Sequence, residues 1–117
     1  MYSAQTTLIG GNFVGYYLNE EQGWQCSYDD LVASYDKAIK DGVDVKSIVV
    51  INPGNPTGQI LSYESIEEII RFAHEKNLII LADEVYQENI YSSKKQFHSF
   101  KKVLKSHKNK NIADNVE

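Results

Sequence analysis

The sequence predicts an α/β fold, a partial parallel or mixed sheet with flanking helices. Three observations carry that expectation. Ser47–Ile51 (SIVVI) and residues 78–82 (LIILA) are short apolar runs, suited to strands buried on both faces. Between them Ile66, Ile69, Ile70 and Ala73 recur at the spacing of one helical face. Strand, helix and strand in that order make a right-handed crossover unit, whose two strands lie parallel.

The elements follow in chain order. Residues 13–18 (FVGYYL) are aromatic and β-branched and read as a strand, with residues 19–23 as a polar turn. Ser27 is placed to cap a helix starting at Tyr28. Leu31, Val32, Tyr35, Ala38 and Ile39 form its apolar face, and Gly42 closes it. After SIVVI, the two Pro and two Gly of residues 52–58 (NPGNPTG) enforce a loop. Ser62 caps the next helix, residues 63–76. Glu64, Glu67 and Glu68 stand near its start and Arg71, His74 and Lys76 near its end, which suits the helix dipole. Residues 78–82 form the second strand and end at Asp83. Phe97, Phe100, Val103 and Leu104 then give a short helical stripe. Residues 106–117 are polar and read as a mobile tail or exposed insertion.

Composition narrows the function classes. A chain of 117 residues suits one domain or a piece of a larger one. The net charge of −4 argues against nucleic-acid and anionic-membrane partners. One cysteine, Cys26, leaves no internal disulfide and suits a reducing compartment. No Cys and His cluster has metal-ligand spacing. The start, MYSAQTTLIGG, has neither the basic flank nor the apolar length of a signal peptide or membrane anchor, and it does not read as a natural domain start.

Two motifs hang off the carboxyl ends of the apolar runs, where ligands bind in open α/β sheets. In NPGNPTG, proline fixes φ and permits cis peptides, while Gly54 and Gly58 open turns closed to other residues. The loop thus holds the amides of Asn52 and Asn55 in fixed directions. A plain tight turn is the competing reading, but seven residues are more than a turn needs. In DEVY, residues 83–86, Asp83 could ligate a cation, act as a base or pair with a protonated ring nitrogen. Glu84 reads as solvated charge or a structural hydrogen bond. Tyr86 reads as a functional phenol or as packing.

NPGNPTG, a helix and then LADEVY resemble the fold-type I pyridoxal-phosphate aminotransferases. The segments YSAQ, GYYLNEEQGW, SIVVINPGNPTGQILS and DEVYQENIYSSKKQFHSFKKVL are most similar to the alanine aminotransferase branch. The resemblance implies pyridoxal 5′-phosphate as cofactor and transfer of an amino group between alanine and 2-oxoglutarate, giving pyruvate and glutamate. It implies that Asn55 bonds the cofactor's 3′-oxygen and approaches the substrate carboxylate, beside an Asn55–Pro56 bond that is often cis. It implies that Asp83 pairs with the pyridine nitrogen and keeps it protonated, that Val85 packs on the ring, and that Tyr86 shares the 3′-oxygen with Asn55. Amino acids and 2-oxo acids are the implied ligands, a homodimer the implied state of the intact protein, and the cytoplasm or mitochondrion its implied place.

The resemblance also implies parts that this sequence lacks. A Schiff-base Lys should stand in a Ser/Thr-rich segment downstream, and none of the eleven Lys has that context. Seven of them fall between Lys94 and Lys110 and read as solvated surface charge. The phosphate-binding glycine turn and the ring-stacking aromatic should precede Tyr2, and the substrate-binding Arg should lie in a C-terminal domain. Residues 1–105 therefore read as part of the large, cofactor-binding domain, cut from both sides. The chain alone is expected to be inactive and, with open strand edges, marginally stable. Two alternatives stay open: a non-catalytic remnant that binds a partner, and another fold-type I enzyme such as an aminocyclopropane-carboxylate synthase relative. GYYLNEEQGW and QFHSFKKVL favour the alanine branch over the latter.

Overall fold

A computed structural model describes residues 1–91, 93 and 95–113. The order of elements is α1 (Tyr2–Leu8), α2 (Tyr28–Lys40), β1 (Ser47–Ile51), α3 (Tyr63–Glu75), β2 (Ile79–Asp83), α4 (Phe100–Lys105) and α5 (Lys110–Ala113). The strands β1 and β2 pair in parallel, with Ile48 opposite Ile80 and Ile51 opposite Asp83. The crossover unit expected from the sequence is therefore present, with α3 as its helix.

Local chemistry sets the helix limits. The Ser27 hydroxyl accepts the Asp30 N–H at 3.2 Å, and Ser62 accepts the Ser65 N–H at 3.1 Å. Each satisfies one of the backbone donors left over in a first helical turn. Gly42, at φ +79°, turns the chain out of α2. Asn77 does the same after α3 at φ +54°, a region that Asn tolerates better than most side chains.

The core lies between α3 and one face of the sheet. Ile66, Ile69, Ile70, Phe72 and Ala73 of α3 pack with Ile48 and Val50 of β1, and Leu31, Phe100 and Val103 close the sides. On α2, Tyr28 and Tyr35 meet Phe72 edge to face, with centroids at 6.1 and 5.9 Å. The Arg71 guanidinium lies 4.3 Å over the Tyr28 ring, and the Lys76 ammonium 5.0 Å over Tyr35. The Tyr28 hydroxyl also donates to Glu75. Aromatic contact, cation–π attraction and a hydrogen bond thus join α2 to α3 along one seam.

Three expectations need correction. Residues 13–18 form no strand. Their alternation survives, since Tyr16 and Leu18 pack on the core while Tyr17 is exposed. Their backbone has no ladder partner, and strand-type residues form a strand only against a neighbour. The segment is held instead by the Tyr16 hydroxyl, which donates to the Val49 carbonyl at 2.9 Å. Second, β2 is not buried on both faces: Ile79 is 66% exposed and Leu81 46%. Helix α3 covers the face of Ile48, Val50 and Ile80, while on the other face Ile79 and Leu81 stay exposed and Val49 and Ile51 are half-buried. Third, α1 forms where no element was expected, and it buries no residue. Within the polar stretch 106–117, α5 seats a buried Ile112, while residues 114–117 lie outside the described residues.

Ile66 is fully buried in the first turn of α3. Replacing it with Ala should cost about 2–5 kcal/mol in denaturant unfolding, through lost burial and the cavity left behind. Leu8→Ala, at an exposed position, should stay within about 0.5 kcal/mol of the parent.

Cys26 is 1% exposed, and burial pushes its thiol up to about 12. Only the thiolate is nucleophilic, so iodoacetamide at pH 8 should modify Cys26 no faster than the chain unfolds. The folded thiol keeps its proton where the unfolded thiol, near pH 8.5, has lost it. Its contribution to stability is complete below that value and should disappear as pH rises towards 12. Urea titrations between pH 8 and 11 should therefore show a smaller decline for Cys26→Ala than for the parent.

Candidate active site

Both motifs emerge at the carboxyl ends of β1 and β2, side by side. The Asn52 N–H donates to the Asp83 carbonyl at 3.0 Å, carrying the ladder one residue beyond β1. The Asn52 side chain is completely buried, and its Oδ1 accepts the Leu61 N–H at 3.0 Å. The carbonyl oxygen of the Asn52 amide thus ties the two ends of the loop together, while its Nδ2 is buried without a hydrogen-bond partner among the described residues. Inside the loop the Gly54 N–H donates to the Gln59 carbonyl at 2.9 Å and the Gly58 N–H to the Gly54 carbonyl at 2.8 Å. Gly58 stands at φ +68°, where a side chain would be strained. Both the Asn52–Pro53 and the Asn55–Pro56 peptides are cis.

A loop closed in this way projects Asn55 outward. Its Nδ2 donates to the Tyr86 phenol oxygen at 3.1 Å, across 31 positions of sequence. The amide occupies the acceptor side of the phenol and leaves the phenolic proton to be donated elsewhere. Asn55 and Tyr86 are therefore one polar pair.

Asp83 stands apart from that pair. It is half-buried at the end of β2, and its Oδ2 accepts the Tyr2 hydroxyl at 2.8 Å. Its Oδ1 faces the Val85 N–H at a long 3.4 Å. The bond to the carboxylate raises the Tyr2 phenol above its ordinary pKa, because ionising it would break the bond and set two anions together. Glu84 has a structural role: its Oε1 accepts the Phe100 N–H at 2.7 Å at the start of α4, where Ser99 also caps. Val85 is 71% exposed.

An open cleft of about 700 Å³ runs beside the loop. Residues 53–60 and Tyr86 form one part of its wall, and Trp24, Tyr91 and Lys95 face them. Asp83 is not among its lining residues. The sequence pointed to Asn55 and Tyr86, which the fold brings together. It gave no sign of Trp24, Tyr91, Lys95 or Tyr2 as site residues. Trp24 sits at φ +65°, which no local pattern announces, and Tyr2 reaches Asp83 across 81 positions.

A phenol that keeps its proton suits an anionic oxygen, and a carboxylate at the end of β2 suits a cationic nitrogen. The class I and II aminotransferase family model matches residues 1–113. The chain belongs to that family. It is 50% identical over 106 residues to an Arabidopsis thaliana protein named alanine aminotransferase 2, mitochondrial, covering 91% of this chain and 20% of that protein. It is 48% identical over 104 residues to glutamate–glyoxylate aminotransferase 2 of the same plant, covering 89% of this chain and 22% of that protein. The solved alanine aminotransferase of Pyrococcus furiosus superposes with a TM-score of 0.70 at 32% identity, over 87% of this chain and 24% of that one. The chain thus spans about a fifth of the length of the curated relatives it matches. Among the described residues, no helix is long and apolar enough to cross a membrane.

The division of labour between adjacent carboxylates has a direct check. Glu84→Ala should cost about 0.5–2 kcal/mol, the usual loss on removing a helix cap, and should speed hydrogen exchange at the Phe100 amide. Unchanged exchange at Phe100 would return Glu84 to plain solvated charge.

Proposed function

We propose that this chain forms the ring-nitrogen and 3′-oxygen side of a pyridoxal-phosphate site in an alanine-type aminotransferase. The observation that carries the reading is the 3.1 Å bond from Asn55 Nδ2 to the Tyr86 phenol, one strand end away from Asp83. Pyridoxal phosphate, when bound, supplies a ring that withdraws electrons from the α-carbon of an amino acid. Asn55 and Tyr86 would hold the 3′-oxygen, the amide fixing the phenol so that its proton points to that oxygen. Asn55 would also meet the substrate carboxylate. Asp83 would hold the ring nitrogen in its protonated form. Residues 1–105 are read as part of the large, cofactor-binding domain, and the intact protein as a homodimer of the cytoplasm or mitochondrion.

Alanine is the proposed amino donor and 2-oxoglutarate the proposed acceptor, giving pyruvate and glutamate. Glyoxylate is a second acceptor reading, favoured by the 48% identity to a glutamate–glyoxylate aminotransferase. The resemblance implies a Schiff-base Lys downstream of these residues, and the lysines from Lys94 to Lys110 are read as surface charge, so the chain by itself is proposed to be inactive.

Pyridoxamine 5′-phosphate needs no covalent anchor and probes this wall alone. Asn55→Ala, Tyr86→Phe and Asp83→Asn should each weaken its binding about tenfold, as expected for a hydrogen bond to a charged group. Affinity unchanged in all three variants would refute the assignment. Incubation with pyridoxal phosphate, borohydride reduction and peptide mapping should give no stoichiometric adduct. Turnover of alanine with 2-oxoglutarate or glyoxylate would overturn the proposed inactivity and name the acceptor.

A further inference from the structure

Tyr2 is exposed to no function in the motifs, yet it touches the residue on which the proposed chemistry turns. It opens α1, a helix with no buried residue and hence no core contact that needs a tyrosine at this position. Its hydroxyl lies 2.8 Å from Asp83 Oδ2. The other contact of this carboxylate, the Val85 N–H, is long at 3.4 Å and falls on Oδ1. A carboxylate at a strand end rotates about χ2 in a broad well unless something holds it. The Tyr2 hydroxyl is the strong hold, and it takes one oxygen while Oδ1 keeps open acceptor capacity.

We infer that Tyr2 is a positioning residue: it orients the Asp83 carboxylate so that Oδ1 is presented to a protonated nitrogen of a bound heteroaromatic ring. The inference rests on the cofactor reading given above and deepens it. Tyr2 acts through Asp83 and need not touch the ring itself. Preordering one torsion lowers the cost of binding, since less rotamer freedom is lost when the ring arrives.

Calorimetric titration of the full chain with pyridoxamine 5′-phosphate, and with its 1-deaza analogue in which C–H replaces the ring nitrogen, tests the inference. Tyr2→Phe should bind pyridoxamine 5′-phosphate about three- to tenfold more weakly, the range of one ordinary hydrogen bond. It should bind the deaza analogue as the parent does, so the preference for a ring nitrogen shrinks by that same factor. A merely structural role would weaken both ligands equally, and that result overturns the inference. Equal affinity of Tyr2→Phe and parent for pyridoxamine 5′-phosphate also overturns it, while loss in Asp83→Asn leaves the cofactor reading standing. If Asp83→Asn too binds as the parent does, or the parent binds nothing, the cofactor reading falls and the inference with it. Thermal unfolding of each variant, lowered for Tyr2→Phe by no more than the loss of one hydrogen bond, separates binding loss from misfolding.

Discussion

The parallel register of β1 and β2 is the constraint on which the rest depends. It sets Ile51 opposite Asp83, so that both strands end at the same level. The Asn52 N–H then reaches the Asp83 carbonyl, and the two motifs begin from a shared hydrogen bond. A slip of β2 by one residue would turn Ile80 away from α3 and shift Tyr86 relative to Asn55. Helix α3 holds the register by burying those side chains, and the aromatic seam with α2 fixes α3 in turn. Site geometry is therefore a consequence of core packing some distance from it.

Two asparagines in one loop divide the work by burial. Asn52 is enclosed and spends its carbonyl oxygen on the Leu61 N–H, closing the loop. Asn55 is exposed, and its amide reaches Tyr86. The same division holds for the neighbouring acids. Glu84 finishes the first turn of α4, while Asp83 stays at the strand end with a single strong donor on Oδ2. In each pair, one member bonds a backbone N–H of a neighbouring segment, and the other keeps hydrogen-bonding capacity where it can meet a ligand. Unspent capacity at a rigid site is what a ligand can use.

The crossover unit was legible because its signals are local. Apolar runs, helical periodicity and the serine caps Ser27 and Ser62 each lie within a few residues of what they specify. Asn55 and Tyr86 were legible as candidates because they sit in motifs at strand ends, and the fold brings the two together. Residues 13–18 misled because their composition reports a preference for pairing and not the presence of a partner. The open face of β2 was hidden for the same reason: LIILA describes what the strand would bury, not what covers it. Tyr2 and Trp24 were out of reach. One acts across the length of the chain and the other through a backbone angle, and neither leaves a periodic trace.

The central claim is that Asn55, Tyr86 and Asp83 form one wall of a site for a phosphorylated pyridine. Amide and side-chain NMR shifts of the chain, followed as pyridoxamine 5′-phosphate is added, test it most directly. The account predicts saturable shifts concentrated at the Asn55 side chain, residues 83–86 and Tyr2, with α2 and the core of α3 unmoved. Shifts confined to the lysines of α4, or none that saturate, would contradict it.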